Sequence, residues 1–259
     1  MVLVVHFGRR CVASLCLLAA LLCLPSFALA QAAAPPPPPP LREGSVDFSL
    51  LVTTGNASTN TVGLGGNIIY RPGPWVIENR AAFVRTETDD IVNAERFLYL
   101  FRAARTITPR LSAYGEYGFF RDPPAGVEHR NTVIGGLDYL LVDVAPHRLN
   151  AFGGLGYANE HRTSLVPPPP EDISTAILNA GWKYKLTLSE NADFTDDFRY
   201  ETSLSDSDDW RIAHVAAVSA KLTTLLSLKA SATLRYVNFP PTGLKKTDTT
   251  TSIALVAKF

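Results

Sequence analysis

Hydrophobic and polar residues alternate with a period of two along most of the chain beyond residue 45. The clearest stretch is 226–236, where leucine, alanine and tyrosine occupy one face and the other carries Lys229, Arg235 and small polar residues. Successive side chains of a β-strand point to opposite faces, so this pattern predicts a strand with one apolar face. The same alternation recurs in four other stretches, 46–52, 97–103, 111–119 and 176–186.

The repeated alternation defines twelve candidate strands. They are 45–54, 60–71, 75–87, 94–107, 110–120, 130–143, 148–159, 173–187, 192–204, 210–223, 226–238 and 248–259. No amphipathic helical period of convincing length lies between them, which argues against βαβ units and a parallel sheet. The sequence therefore predicts an antiparallel all-β fold.

The joins between the candidate strands alternate in length. The short joins are 71–74, 108–109, 144–147, 188–191 and 224–225, and the longer polar joins are 86–93, 121–129, 160–172, 205–209 and 240–247. Alternating short turns and long loops are typical of outer-membrane barrels. Because only a closed sheet lets every strand satisfy its backbone hydrogen bonds inside hydrocarbon, we expect a closed antiparallel transmembrane β-barrel of about 12 strands.

Such a barrel turns its apolar face outward to lipid and its polar face inward. Aromatic residues near strand ends, such as Tyr70, Trp75 and Trp210, can form interfacial girdles. Asp196 falls on the predicted outer face and indicates either a bulge in its strand or a wrong register. The alternative is a soluble two-sheet sandwich or lipocalin-like barrel, which buries its apolar face inside and would need a large core for twelve strands.

The first 44 residues predict an export signal and a linker. Arg9 and Arg10 precede an apolar stretch that ends in small residues at Ala28 and Ala30, as in a cleaved signal peptide spanning 1–30. An uncleaved anchor helix is the alternative. Residues 31–44 contain six consecutive prolines and predict an Ala/Pro-rich linker, which leaves 45–259 as the barrel domain.

Charge and cysteine content exclude several classes of protein. The 24 Lys and Arg residues balance 24 Asp and Glu residues, which excludes a basic nucleic-acid-binding surface. All three cysteines lie within 1–30, so the mature chain has neither a disulfide scaffold nor a thiol nucleophile. We expect no cofactor and no metal.

Charged residues on the predicted inner face form the candidate functional set. They are Glu78, Arg80, Arg102, Glu116, Asp138, Lys183, Lys185, Asp193, Asp197, Arg199, Glu201, Lys229 and Arg235. Both signs are present, so these groups either line a narrow hydrated passage or pair across the lumen and close it. The sequence leaves both outcomes open.

A lipid-modifying enzyme is an alternative function. It would need a serine and a histidine within reach of each other on the lipid-facing surface. His161 and Ser164 lie in a predicted proline-rich loop, and His214 falls on an outward face near Trp210. We therefore expect no catalytic residues and no enzymatic activity.

Four sequence blocks, in order, resemble a known family. They are TTGNAST at 53–59, FFRD at 119–122 followed by GVEHR at 126–130, GGLDY at 135–139 and GGLGY at 153–157. Over 46–259 these blocks resemble the salt-induced outer-membrane protein family, a family built on a domain of unknown function. The matching motif residues are Thr54, Gly55, Asn56, Arg121, Asp122, Gly126 and Arg130. The resemblance implies a barrel with a role in envelope structure or stress-linked permeability.

The final residues alternate and end on Phe259, which resembles the signal read by the outer-membrane barrel assembly machinery. The expected partners are outer-membrane lipid, lipopolysaccharide and that machinery, without nucleic acid, and we expect a monomer. Besides the enzyme, two roles stay open. One is a narrow channel for ions and small solutes, and the other is a structural or adhesive barrel that acts through the 166–171 loop.

Overall fold

Twelve antiparallel strands form a closed barrel in the computed structural model of the chain. The structure describes residues 39–53, 59–163, 171–241 and 244–259. The predicted signal peptide, the Thr54, Gly55 and Asn56 motif, and the proline run of the 166–171 loop lie outside the described residues. Among the residues that are described, none belongs to a helix long and apolar enough to cross a membrane.

Each strand pairs with its neighbours in the sequence, and β1 pairs with β12 to close the sheet, with Val46 opposite Ala257. The strands are β1 Arg42–Thr53, β2 Thr59–Tyr70, β3 Trp75–Thr88, β4 Ile91–Thr106, β5 Leu111–Asp122, β6 Val127–Val144, β7 His147–Arg162, β8 Glu171–Ser189, β9 Ala192–Ser203, β10 Trp210–Lys221, β11 Leu226–Val237 and β12 Thr247–Lys258. The predicted strands differ from these bounds by at most three residues. The prediction of a closed antiparallel barrel is confirmed.

The two ends of the barrel differ in the length of their connections. One end, which we call the turn end, carries the segments 71–74, 107–110, 145–146, 190–191 and 222–225. The other end, the loop end, carries 54–58, 89–90, 123–126, 163–170, 204–209 and 238–246. The alternation of short and long joins is therefore present, but one loop-end connection is as short as any turn.

The predicted long join at 86–93 is wrong. Strands β3 and β4 continue to Thr88 and Ile91 and meet in the turn formed by Asp89 and Asp90. Both aspartates have positive φ, 49° and 63°, which is the backbone of a type I′ turn and suits the twist of a tight hairpin. The sequence of 86–93 predicts a loop because Ile91 and Val92 are its only apolar residues and neither face carries a continuous apolar row.

The apolar face of the strands is the outer surface of the barrel. Phe48, Leu64, Val133, Leu155 and Ile253 are each more than half exposed. A soluble sandwich or lipocalin-like barrel would turn these rows into a dry core, so that alternative is wrong. The buried apolar cluster is small and lies on the inner side of β5 to β8, where it comprises Tyr114, Ile134, Phe152, Ala158 and Ile177.

Inner-face glycines let the barrel wall bend sharply beside this cluster. A Cβ atom at Gly136 would collide with the carbonyl oxygen of Gly153, and one at Gly181 would collide with that of Phe198. The rings of Tyr114 and Phe152 lie against these two glycines and fill the space that side chains would take. One side of the barrel interior is therefore packed with aromatic rings.

Candidate functional site

An internal chamber of about 1560 Å³ extends from the loop end to the middle of the barrel. Eight of the predicted lumenal residues line it: Glu78, Arg80, Glu116, Lys183, Asp197, Arg199, Glu201 and Arg235. Arg102 lies directly opposite Glu116 in the β4–β5 pairing, and it binds Asp138, which lies nearer the turn end, at 2.9 Å. Closer to the turn end, Lys185 pairs with Asp193 at 3.3 Å and Lys229 pairs with Asp47 at 3.8 Å. Charges of both signs therefore occupy the interior at several levels.

Ion pairs bridge the bore between strands that are not neighbours in the sheet. Arg199 on β9 donates to both carboxylate oxygens of Glu116 on β5, one of them at 3.2 Å. Lys183 on β8 lies 4.0 Å from Glu78 on β3. Strands this far apart around the barrel can meet only across its interior, so the bridges narrow the bore.

One carboxylate collects three guanidinium groups near the loop end. Glu160 on β7 is 1% exposed and accepts hydrogen bonds from Arg130 and Arg211 at 2.6 Å and from Arg162 at 2.5 Å. Arg130 on β6 also binds Glu201 on β9, so this cluster crosses the bore as well. A charge buried at this depth is stable only with such partners, because it has lost its hydration.

Sequence reasoning missed Glu160, Arg162 and Arg211. The predicted strand ended at residue 159, one position before Glu160. The alternation that places Ala158 on the inner face, continued by two residues, would have placed Glu160 there too. On β10 the same alternation turns Trp210 outward, so the next residue, Arg211, lies on the inner face.

A layer of charged and aromatic side chains separates the chamber from the turn end on the β4 to β7 side. The guanidinium of Arg102 lies 3.7 Å from the ring centre of Tyr114 and donates to Glu116 at 3.2 Å. The guanidinium of Arg199 lies 5.4 Å from the ring centre of Phe152. Rings hold the cations in place while carboxylates neutralise them, so the layer is tightly packed.

Two residues of the family motif hold the loop end together. Asp122 is 1% exposed and accepts a hydrogen bond from Arg96 Nε at 2.8 Å. Gly126 has a φ of 75°, and a Cβ there would lie 2.8 Å from side-chain atoms of Pro241 and Leu244. The described residues 238–241 and 244–246, which we call the covering loop, therefore pack against Gly126 across the mouth of the chamber.

The other two described motif residues point in different directions. Arg130 belongs to the Glu160 cluster inside the barrel. Arg121 lies on the outer surface, where it binds Glu95 at 3.1 Å and Glu128 at 3.4 Å. The motif is therefore shared between both surfaces of the loop end.

Asp196 faces outward, and neither a bulge nor a register change accounts for it. The pairing of β9 with β10 is regular through this position, with Ala216 opposite Asp196. Its carboxylate accepts a hydrogen bond from Trp182 Nε1 at 2.8 Å and lies 2.6 Å from His214 Nε2. An outward carboxylate in the apolar belt is thus held by two amphipathic side chains.

His161 lies in β7, so its predicted place in a proline-rich loop is wrong. It pairs with Asp172 and stacks on His129 with ring centres 5.4 Å apart. Within the described ranges, no serine or threonine hydroxyl is hydrogen-bonded to His161 or His214, and Ser164 lies outside those ranges. The same ranges hold no group of three or more His, Cys, Asp or Glu side chains placed to bind a metal ion.

Phe259 lies beside the seam that closes the barrel. Its backbone exchanges two hydrogen bonds with Gly44, at 2.8 and 3.0 Å. The phenyl ring lies over Gly44, where a Cβ would collide with it, and the residue is 72% exposed. The predicted signal residue is therefore accessible on the outer surface.

Three solved structures align with most of this chain at low sequence identity. The NanC porin aligns with a TM-score of 0.49 and 8% identity over 83% of this chain and 98% of that chain. An outer membrane channel from Pseudomonas putida F1 aligns with a TM-score of 0.49 and 9% identity over 84% and 95% of the two chains. The translocator domain of autotransporter NalP from Neisseria meningitidis aligns with a TM-score of 0.44 and 14% identity over 84% of this chain and 86% of that chain.

No curated protein matches the sequence. One family profile does match, and it covers residues 46–259, which is nearly the whole barrel. The chain therefore belongs to the family described as Protein of unknown function, DUF481.

Proposed function

We propose that the chain is an integral outer-membrane β-barrel that gives ions and small solutes a narrow, charge-lined passage. One observation carries this proposal: the closed barrel is apolar on its outer surface and charged around an internal chamber. A row of exposed apolar side chains is stable in hydrocarbon and unfavourable in water. A closed sheet also leaves no strand edge unpaired, as a lipid environment requires.

The few polar groups on the outer surface fit a lipid environment because they are paired or lie near the ends of strands. Asp196 has its indole and imidazole partners, and Asn79 accepts a hydrogen bond from the hydroxyl of Tyr99 at 3.0 Å. An unpaired Lys or Arg at mid-membrane would cost roughly 2–4 kcal/mol. Arg121 and its acidic partners lie at the loop end, where headgroups rather than acyl chains would surround them.

The interior supports a narrow passage rather than a wide one. Ion pairs such as Arg199 with Glu116 cross the bore, and the Tyr114 and Phe152 rings occupy one side of it. The chamber opens at the loop end, and in outer-membrane barrels the short turns face the periplasm. The chamber of this barrel would then face the outside of the cell. In this proposal solutes cross the barrel without being chemically changed.

Gel mobility and conductance test the two parts of this proposal separately. Purified barrel in detergent should migrate differently before and after boiling, and in planar bilayers it should give small current steps. A protein that is soluble without detergent and shows no mobility shift would contradict the membrane assignment. A heat-modifiable barrel that stays silent in bilayers would contradict the passage and leave a structural role.

The link to salt or osmotic stress is a further part of the proposal and rests on the sequence resemblance. A strain lacking the chain should grow more slowly than its parent at high salt, and the full-length chain should restore growth. Equal growth of the two strains across salt and sucrose series would remove this part without affecting the barrel.

A further inference from the structure

We propose that the chamber binds a small oxyanion, carrying a phosphate or carboxylate group, at Arg235 beneath the covering loop. This inference rests on the proposed function and specifies the chemistry of the solute that the passage accepts. Three features support the site: a guanidinium that has no partner among the described residues, the charges around it and the space in front of it.

Arg235 differs from the other arginines of the inner surface. Seven of these, within the described residues, have a carboxylate oxygen within 2.9 Å: Arg80, Arg96, Arg102, Arg130, Arg162, Arg199 and Arg211. Arg235 forms neither a hydrogen bond nor an ion pair with any described residue, and its Nε is buried without a partner. Its register partner on β12, Asp248, lies instead 3.8 Å from Arg96.

An aromatic contact positions the guanidinium without neutralising it. Arg235 on β11 reaches across the bore to Phe120 on β5, and its Cζ lies 5.0 Å from the ring centre. A ring face attracts a cation but leaves the N–H groups around its edge free to donate. The planar fork of a guanidinium matches the paired oxygens of a phosphate or carboxylate.

The charges nearby favour an anion at this end of the chamber. Lys245 and Lys246 of the covering loop line the same chamber, and Lys246 Nζ donates to the Asn238 side-chain oxygen at 3.1 Å rather than to a carboxylate. The buried Asp122 is committed to Arg96 at 2.7 Å. Among the residues that the structure describes, three cations without a carboxylate partner therefore outnumber Asp248 here, and low-dielectric walls concentrate their field.

Calorimetry on the full barrel in detergent tests the site, with inorganic phosphate and acetate as probes at constant ionic strength in chloride. Both probes should bind the parent protein, and Arg235→Gln should weaken the affinity for phosphate by about tenfold or more, because hydrogen bonds to a charged donor are lost. Arg121→Gln is the matched control, since it removes the same charge at the same end from the outer surface. It should change the affinity less than about threefold, because solvent screens its field.

Arg235→Lys separates charge from geometry, and the gel shift on boiling verifies that each variant has folded. Lysine keeps the charge but lacks the fork, so its affinity should fall between those of the parent and Arg235→Gln. No phosphate binding to the parent, equal losses in Arg235→Gln and Arg121→Gln, or chloride binding as tight as phosphate binding would each overturn the site.

Bilayer recordings distinguish failure of this inference from failure of the passage. Phosphate added on the loop side should reduce the current of the parent and leave that of Arg235→Gln unchanged. Calorimetric binding by a barrel that is silent in bilayers supports the anion site and contradicts the passage. A current that phosphate does not alter, together with no calorimetric binding, supports the passage and contradicts the anion site.

Discussion

Two carboxylates on opposite surfaces of the barrel wall are held in different ways. Glu160, on the inner surface, is surrounded by three guanidinium groups and is almost fully buried. Asp196, on the outer surface, has an indole N–H and an imidazole nitrogen as its partners. A polar interior can supply several full counter-charges, whereas an apolar surface can supply only donors that are themselves compatible with lipid. The chemistry of the partners therefore follows the environment of each surface.

The largest loss of folding stability should come from Glu160→Gln. The change leaves three adjacent arginines without their shared carboxylate, and breaking a buried ion pair on one side costs about 3–5 kcal/mol. Urea-dependent unfolding in lipid vesicles, followed by the gel shift on boiling, measures the loss. Glu201→Gln is the control, because it leaves Arg130 paired with Glu160, and an equal loss in the two variants would contradict the cluster.

Arg199→Ala should have an intermediate effect on stability and a distinct effect on conductance. Glu116 keeps Arg102 as a partner, so the expected loss is about 2 kcal/mol, typical of charged hydrogen bonds. The bore loses one of its bridges, so single-channel conductance should rise above that of the parent barrel. Lys229→Ala removes a cation near the turn end and outside the chamber, so it should raise the conductance less. A larger rise with Lys229→Ala than with Arg199→Ala would contradict the Arg199–Glu116 bridge as the constriction.

Asp196→Leu should change the free energy of unfolding by about 1 kcal/mol or less. Trp182 and His214 are amphipathic and are compatible with the membrane without Asp196 as a partner. The substitution also removes a charge from the lipid-facing surface. The same vesicle unfolding series measures the change. A loss as large as that of Glu160→Gln would mean that the outer cluster is as interdependent as the inner one. In that case the distinction between the two surfaces would not hold.

The smallest effect should come from His161→Ala. The His161–Asp172 pair lies on an exposed surface, where ion pairs contribute about 0–1 kcal/mol. Stability should stay within about 0.5 kcal/mol of the parent. Phospholipid turnover by the parent, His161→Ala and His214→Ala should all equal the background of empty vesicles, and turnover lost only in a histidine variant would establish an enzyme instead.

Strand positions were predictable from the sequence because they depend on local alternation. The stretch 226–236 places Lys229 and Arg235 on one face whatever the rest of the chain does. Local alternation is a weaker guide beyond the apolar belt, where both faces of a strand are polar. There the sequence predicts an end of β7 before Glu160 and a loop in place of the β3–β4 hairpin, and the structure differs at both places.

The sequence by itself therefore determined the number of strands, their inner and outer faces and the sign of each lumenal charge. Side-chain direction in a strand depends only on whether a position is odd or even along it. Tertiary structure alone decided which charges meet. Glu116 and Arg199 are 83 residues apart on strands that are not neighbours, and only the closure of the barrel brings them together. The same closure left Arg235 without a carboxylate partner in the described part of the chain, since partners across a bore depend on the curvature and stagger of the whole wall rather than on any local spacing.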